Sequence, residues 1–223
     1  MDLVAALGMW LAVYTVGFCL LPILLCYDWH KRGTSDGFSS INFSLIIASI
    51  AFWFQYARML NDKVQMAING TSLSLFVLYI IVYYIYQSNK RNIQMQLMTI
   101  GGFVTAVFVY VNSIDDKTSA IEAMGKISSN YQILTLAGLL YEIYRVLLPL
   151  KTTEYLQFSM TVGGGLLNMQ WYLFGVLIND LHIQRANMVA VVINGVIFLL
   201  YFLYPPISWR LPWQKRSVDK KNK

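Results

Sequence analysis

The chain is short of charge, cysteine, histidine and proline, and each shortage excludes something. Charged residues make up 13% of its 223 positions, against roughly 25% in ordinary soluble domains. That is too little to coat a water-soluble surface. The two cysteines, Cys19 and Cys26, lie seven apart in one apolar run. On a helix their Cα atoms stand about 10 Å apart, too far to bridge. No disulfide framework is expected. Neither histidine, His30 nor His182, falls in the middle of an apolar run, which leaves a buried proton shuttle without support. No phosphate loop, metal cluster or nucleophile–base pairing is present, so no catalytic residue, metal or cofactor is expected and the chain does not read as an enzyme. None of the five prolines is followed by glutamine.

What the chain has is apolar length. Hydrophobic residues are 57% of it. A membrane helix needs about 20 mainly apolar residues. Seven stretches qualify, at about 3–27, 40–60, 67–87, 95–114, 130–148, 157–178 and 186–204. Backbone groups in lipid must bond within their own segment, so helices are the default. These segments are too long for outer-membrane strands. The first begins Met-Asp, without a basic leader or a small-residue cleavage site, so it is expected to remain in the mature protein.

The net charge of +6 does not imply nucleic acid; its distribution is what informs. If the helices alternate in direction, one side collects Lys31, Arg32, Lys90, Arg91, Arg145, Lys151 and six more in the tail from Arg210 to Lys223, twelve in all. The other side collects Arg58, Lys63, Lys117, Lys126 and Arg185, five in all. The excess of Lys and Arg marks the cytoplasmic side. The N-terminus is then outside or luminal, and the basic tail is cytoplasmic near anionic headgroups. The plasma membrane is favoured, with Golgi or vesicle membranes as the alternative.

A constant offset of 118 pairs Asn69 with Asn187, Trp53 with Trp171, Asn61 with Asn179, Asp62 with Asp180, Thr34 with Thr152, Tyr83 with Tyr201 and Tyr86 with Tyr204. Such pairing indicates an internal repeat of three helices. Three crossings reverse the chain, and a fourth helix restores the starting side. The expected fold is all-α: seven transmembrane helices as two parallel triple-helix bundles joined by a linker helix, a 3+1+3 plan. The expected divisions are a first repeat at 1–90, a linker helix with its flanking loops at 91–120, a second repeat at 121–208 and a tail at 209–223. Two parallel units enclose a space on their common axis. Polar groups in lipid are costly unless they face a cavity or a partner. Asn69 and Asn187 open the third helix of each unit; Trp53 and Trp171 lie in the second. Indole faces beside amides suit a ligand with hydroxyls on a partly apolar ring. The same residues also suit helix-to-helix bonding and boundary anchoring.

At these residues the chain resembles the SWEET (MtN3/saliva) sugar transporters. The first unit has GTSDGFSSINFS (33–44), AFWFQYARMLND (51–62) and INGTS (68–72). The second has LKTTEYLQFSM (150–160), MQWYLFGVLIND (169–180) and RANMVAVVINGVIFLLYFLY (185–204). Each unit shows a basic-polar-acidic loop, then a Trp-x-x-aromatic motif, then an Asn opening the third helix. The resemblance implies a facilitative, bidirectional uniporter for a mono- or disaccharide, working by alternating access. It implies substrate contacts at Trp53, Trp171, Asn69, Asn187 and Ser49, with Leu167 replacing the small polar residue in the second unit. It implies a gating role for Asp180 and a kink at Pro22. Three further family prolines are replaced here by Asn42, Leu140 and Gln157. The gates must then bend otherwise, with Gly163-Gly164-Gly165 as either a weak point or a flat packing surface.

Glu142 and Arg145 share one helix face. They form either a self-neutralising pair or, if Glu142 carries protons, a coupling site. Beyond sugar and membrane lipid as partners, a homo-oligomer is left open. The competing functions are a PQ-loop-type carrier of another small polar solute, which the missing Pro-Gln pair opposes, and a seven-helix receptor or scaffold. Seven-helix receptors lack such a repeat.

Overall fold

The computed structural model describes residues 3–209, 211 and 212. The basic tail expected from 209 onward therefore lies almost wholly outside the described residues. Every regular element among the described residues is helical.

The first apolar run forms α1 (Leu3–Cys19) and α2 (Ile23–Arg32). They divide at Pro22, which has no N–H to give and crowds the carbonyl four residues back. The chain tightens there, with Leu21 N donating to Phe18 O at 3.2 Å and Ile23 N to Leu20 O at 3.0 Å. Next come α3 (Ile41–Leu60), α4 (Lys63–Tyr86) and α5 (Lys90–Asn112). The fifth run forms α6 (Lys117–Thr135), α7 (Ala137–Arg145) and a π-helical turn, Val146–Leu150, that contains Pro149. The last two helices are α8 (Phe158–Leu177) and α9 (Leu181–Leu203).

One expectation needs correction. The fifth helical run begins at Lys117, not near 130. Asp116 Oδ2 accepts the Ser119 N–H at 2.7 Å and starts the helix, and its polar first turns are invisible to a count of apolar residues. Residues 117–120 thus open α6 rather than flank the linker. Among the described residues, six helical spans have both the length and the hydropathy to cross a membrane, and the seventh, α8, falls short on hydropathy alone. It has the length, but Gly163-Gly164-Gly165, Asn168 and Gln170 dilute its hydropathy. α8 runs through the glycine triplet unbroken. A Cβ at Gly163 would stand 3.1 Å from the Phe18 ring, and one at Gly165 3.4 Å from Asn194 Cβ. The triplet is a packing surface for α1 and α9. The second unit bends instead at Leu136, between α6 and α7, four residues before Leu140.

The repeat has a local cause. Asn61 and Asn179 end α3 and α8 in the left-handed conformation, at φ 58° and 57°, which asparagine tolerates better than most residues. Asp62 and Asp180 then cap the next helix. Asp62 Oδ1 accepts from Val64 N and Gln65 N, both at 3.0 Å. Asp180 Oδ1 accepts from His182 N at 2.9 Å and Ile183 N at 3.0 Å. Such a cap contributes about 1 kcal/mol.

The loops at the opposite end repeat as well. Ser35 N donates to Tyr86 O at 3.0 Å and Thr153 N to Tyr204 O at 2.9 Å. Asp36 then holds Ser88 through its hydroxyl at 2.6 Å and its N–H at 3.3 Å. Glu154 likewise holds Ser208, accepting from its N–H at 2.9 Å and from its hydroxyl. The basic-polar-acidic loop is thus a clamp on the chain leaving the third helix. The Ser88 hydrogen bonds hold the Asp36 carboxyl below its ordinary value, and those of Ser208 do the same for Glu154.

In each unit the third helix lies against the other two: α4 packs on α1 and α3, and α9 on α6 and α8. Between units, α3 packs on α6 and α1 on α8. The second helix of each unit thus meets the first helix of the other. The outer faces are apolar. Among described residues α5 buries only Ile93 and Val111, and α7 buries none. An apolar exterior of this extent belongs in lipid, and the chain is an integral membrane protein with a seven-helix, all-α fold.

Candidate functional site

Between α1, α3, α4, α6, α8 and α9 lies a cavity of about 330 Å³. Trp53, Trp171, Asn69, Asn187 and Ser49 all line it, and so does Leu167 opposite Ser49. The five residues singled out from sequence, spread over 139 positions, meet in one space. The asymmetry between Ser49 and Leu167 is present at its wall.

The orientation of both amides is forced. Asn69 Nδ2 donates to Gln65 O at 2.9 Å, and Asn187 Nδ2 to Ile183 O at 2.8 Å. A carbonyl oxygen only accepts, so the nitrogen must point back along the helix. Asn168 repeats the arrangement on α8, donating to Gly164 O at 2.7 Å. The Nδ2 atoms are thus committed to the helices, and the Oδ1 atoms, of which that of Asn187 lies 3.5 Å from Gln132 Nε2, keep acceptor capacity for a hydroxyl-bearing ligand.

The two indole N–H groups are already occupied. Trp53 Nε1 donates to Gln132 Oε1 at 2.7 Å. Trp171 Nε1 donates to Thr15 Oγ1 at 3.2 Å. In each case the partner sits on the first helix of the other unit. What the tryptophans have left to offer is ring surface, which suits the C–H face of a ring-shaped ligand.

Within each Trp-x-x-aromatic motif the two rings pack together beside the cavity. Trp53 and Tyr56 meet edge to face at 5.7 Å, and Trp171 and Phe174 do so at 5.7 Å. Leu11 and Ile68 fill in beside Phe174. Above them the Tyr56 hydroxyl donates to Asp180 Oδ2 at 2.8 Å. The repeat-equivalent bond does not exist. Phe174 has no hydroxyl, and Asp62 Oδ2 instead takes Gln65 Nε2 at 2.8 Å.

Sequence reasoning missed Gln132, Gln65, Asn168, Thr15 and Cys19 on the cavity wall. Gln132 and Asn168 are polar side chains within apolar runs, a signal that was available. Thr15 and Cys19 carry no such signal. Glu142 does not line the cavity; it pairs with Arg145 at 3.2 Å on α7. Pro22 stands at the break between α1 and α2, also off the cavity wall. Both cysteines are free.

Comparison with known proteins bears on the same two units. A family model described as "Sugar efflux transporter for intercellular exchange" matches residues 5–91 and 124–208, one match to each unit. The sugar transporter SWEET1 of Drosophila pseudoobscura pseudoobscura is 24% identical, with 88% of each chain covered. The SWEET1 of Xenopus laevis is 28% identical over 69% of this chain and 71% of its own. The bidirectional sugar transporter SWEET10 of Arabidopsis thaliana is 23% identical over 83% of this chain and 65% of its own. A solved eukaryotic SWEET transporter superposes with a TM-score of 0.78 at 19% identity, covering 90% of this chain and 96% of that one. Two separate matches, falling on the two units that the 118-residue offset had already paired, show that the chain belongs to the SWEET (MtN3/saliva) family of sugar transporters.

Proposed function

We propose that this protein is a facilitative, bidirectional sugar carrier rather than an enzyme, working by alternating access around the central cavity. The observation that carries the proposal is the wall of that cavity, where one Trp and one Asn from each unit converge at repeat-equivalent positions. A pyranose fits such a wall: its C–H face packs on indole, and its hydroxyls donate to the amide oxygens. No charge faces the ligand among the residues lining the cavity, which suits a neutral solute.

The two units are two parallel triple-helix bundles, at 1–90 and 121–208, related by an axis along the membrane normal and joined by the linker helix within 91–120. They rock about the cavity, with Pro22 and the bend at Leu136 as flexing points and Asp180 as part of a gate. The aromatic pairs and the Tyr56–Asp180 bond close the end that the Lys and Arg distribution places outside. The state described here is then closed to the outside, and the opposite end is cytoplasmic. The plasma membrane is the favoured location.

The test is transport in liposomes containing only this protein. Labelled glucose and labelled sucrose, offered separately, should show uptake of at least one. The same sugar should leave preloaded liposomes at a comparable rate. Empty-liposome rates for both sugars would overturn the proposal and favour a scaffold or a carrier of another solute.

A further inference from the structure

We propose that Gln132 is a positioning residue for the cavity: it sets the plane of the Trp53 ring and links that ring to Asn187 across the two units. The inference rests on the sugar-carrier reading for its effect on transport, but not for its effect on Trp53.

A glutamine side chain offers a carbonyl oxygen and an NH₂ group, and Gln132 uses both. Its Oε1 accepts the Trp53 indole N–H at 2.7 Å. Its Nε2 lies 3.5 Å from Asn187 Oδ1, at the long limit of a hydrogen bond. Trp53 is on α3, in the first unit; Gln132 and Asn187 are on α6 and α9, in the second. One side chain therefore joins the ring that meets the ligand in one unit to the amide that meets it in the other.

The 118-residue offset does not supply this role. It pairs Gln132 with Tyr14, whose hydroxyl donates elsewhere, to Gly163 O at 3.2 Å. The corresponding tie on the other side of the cavity is Trp171 to Thr15, one residue out of register. Thr15 has a single hydroxyl and reaches no asparagine in the described hydrogen bonds. The bridge through Gln132 has no twin.

Its consequence is preorganisation. An indole in an aromatic packing site can turn about its side-chain bonds unless its N–H is held. Trp53 touches Tyr56 edge to face, which limits tilt but leaves the N–H undirected. The Gln132 bond directs it, so the ring face is presented to the ligand before the ligand arrives. A ligand then loses less freedom in binding.

The test is a double-mutant cycle on purified protein, using Gln132→Leu, Trp53→Phe and the pair. Two readouts are taken. The first needs no sugar. Gln132→Leu should shift tryptophan emission relative to wild type, and the shift should vanish in the Trp53→Phe background. Gln132→Glu keeps the acceptor for the indole and should restore most of the wild-type emission. The second is affinity for labelled glucose and labelled sucrose. Gln132→Leu should raise KM by roughly 2- to 12-fold, the worth of one ordinary hydrogen bond, with little change in Vmax per folded molecule. In the Trp53→Phe background it should have no further effect. An unchanged emission spectrum, or losses that simply add, would overturn the proposal; additive losses would make Gln132 a direct ligand contact. If wild type binds neither sugar while the emission cycle behaves as expected, the sugar reading falls and the positioning of Trp53 stands.

Discussion

Tyr56 donates its hydroxyl to Asp180 at 2.8 Å across the boundary between the two units, and the repeat-equivalent pair, Phe174 and Asp62, makes no such bond. A hydrogen bond to a carboxylate contributes about 1.5–3 kcal/mol. This bond between the units is therefore made on one side of the repeat only. Tyr56→Phe removes it and leaves the Asp180 cap on α9 intact. It should shift the closed–open balance by roughly 10- to 150-fold. Spin labels at Lys63→Cys and Leu181→Cys, the first residues of α4 and α9, would report it in a Cys19→Ser, Cys26→Ser background. The distance distribution should gain a longer population in Tyr56→Phe. An unchanged distribution would show that the aromatic pairs alone close the outer end.

The paired asparagines make a second prediction. Asn69→Ala and Asn187→Ala each remove one acceptor from the cavity. Leaving a ligand hydroxyl unpartnered in a dry site costs about 1–3 kcal/mol, a loss of roughly 5- to 150-fold in affinity. Sugar binding per folded molecule should fall by that factor while the melting temperature changes little. Wild-type binding by both variants, with a lower melting temperature, would make the amides helix-bonding groups instead.

Proton coupling is not expected. Glu142 is neutralised by Arg145 and stands off the cavity. A pH gradient imposed across liposomes should not drive sugar accumulation, and Glu142→Gln should transport as wild type does. Accumulation that Glu142→Gln abolishes would reinstate the coupling role.

The two loop clamps should be acid-labile. Asp36 and Glu154 are both held below their ordinary values, 3.8 and 4.5, first by the serine hydroxyls. A carboxyl depressed in the folded state stabilises above its unfolded value and loses that contribution as pH falls through the folded one. The clamps therefore act at neutral pH and are lost as pH drops below those ordinary values. Asp36→Asn with Glu154→Gln should lower the melting temperature in detergent at pH 7. The gap to wild type should narrow as the acid range is entered. A gap independent of pH would mean that the clamps act through packing alone.

Orientation follows from the Lys and Arg distribution. In intact cells with the protein at the surface, an impermeant maleimide should label Leu181→Cys and leave Lys151→Cys unlabelled until the membrane is opened, again with both native cysteines replaced by serine. The reverse pattern would invert the topology.

Apolar run length and the 118-residue offset were enough to indicate a helical membrane protein with two related triplets of helices. Both are properties of covalent order. Run length is set by the thickness of the hydrocarbon layer, and the offset by turn chemistry that recurs locally, as in Asn61-Asp62 and Asn179-Asp180. The same offset singled out Trp53, Trp171, Asn69 and Asn187, and these equivalent places in the two units line one cavity. The start of α6 at Lys117 was not legible, since a helix that emerges from lipid continues on capping and backbone bonds rather than on hydropathy. The role of Gly163-Gly164-Gly165 was not legible either. Whether glycines bend or pack depends on what stands opposite, and here it is Phe18, 145 residues away. The Tyr56–Asp180 bond and the Gln132 bridge belong wholly to the tertiary structure. Both join side chains of different units out of step with the repeat, and only the docking of α3 against α6 brings their atoms within hydrogen-bonding distance.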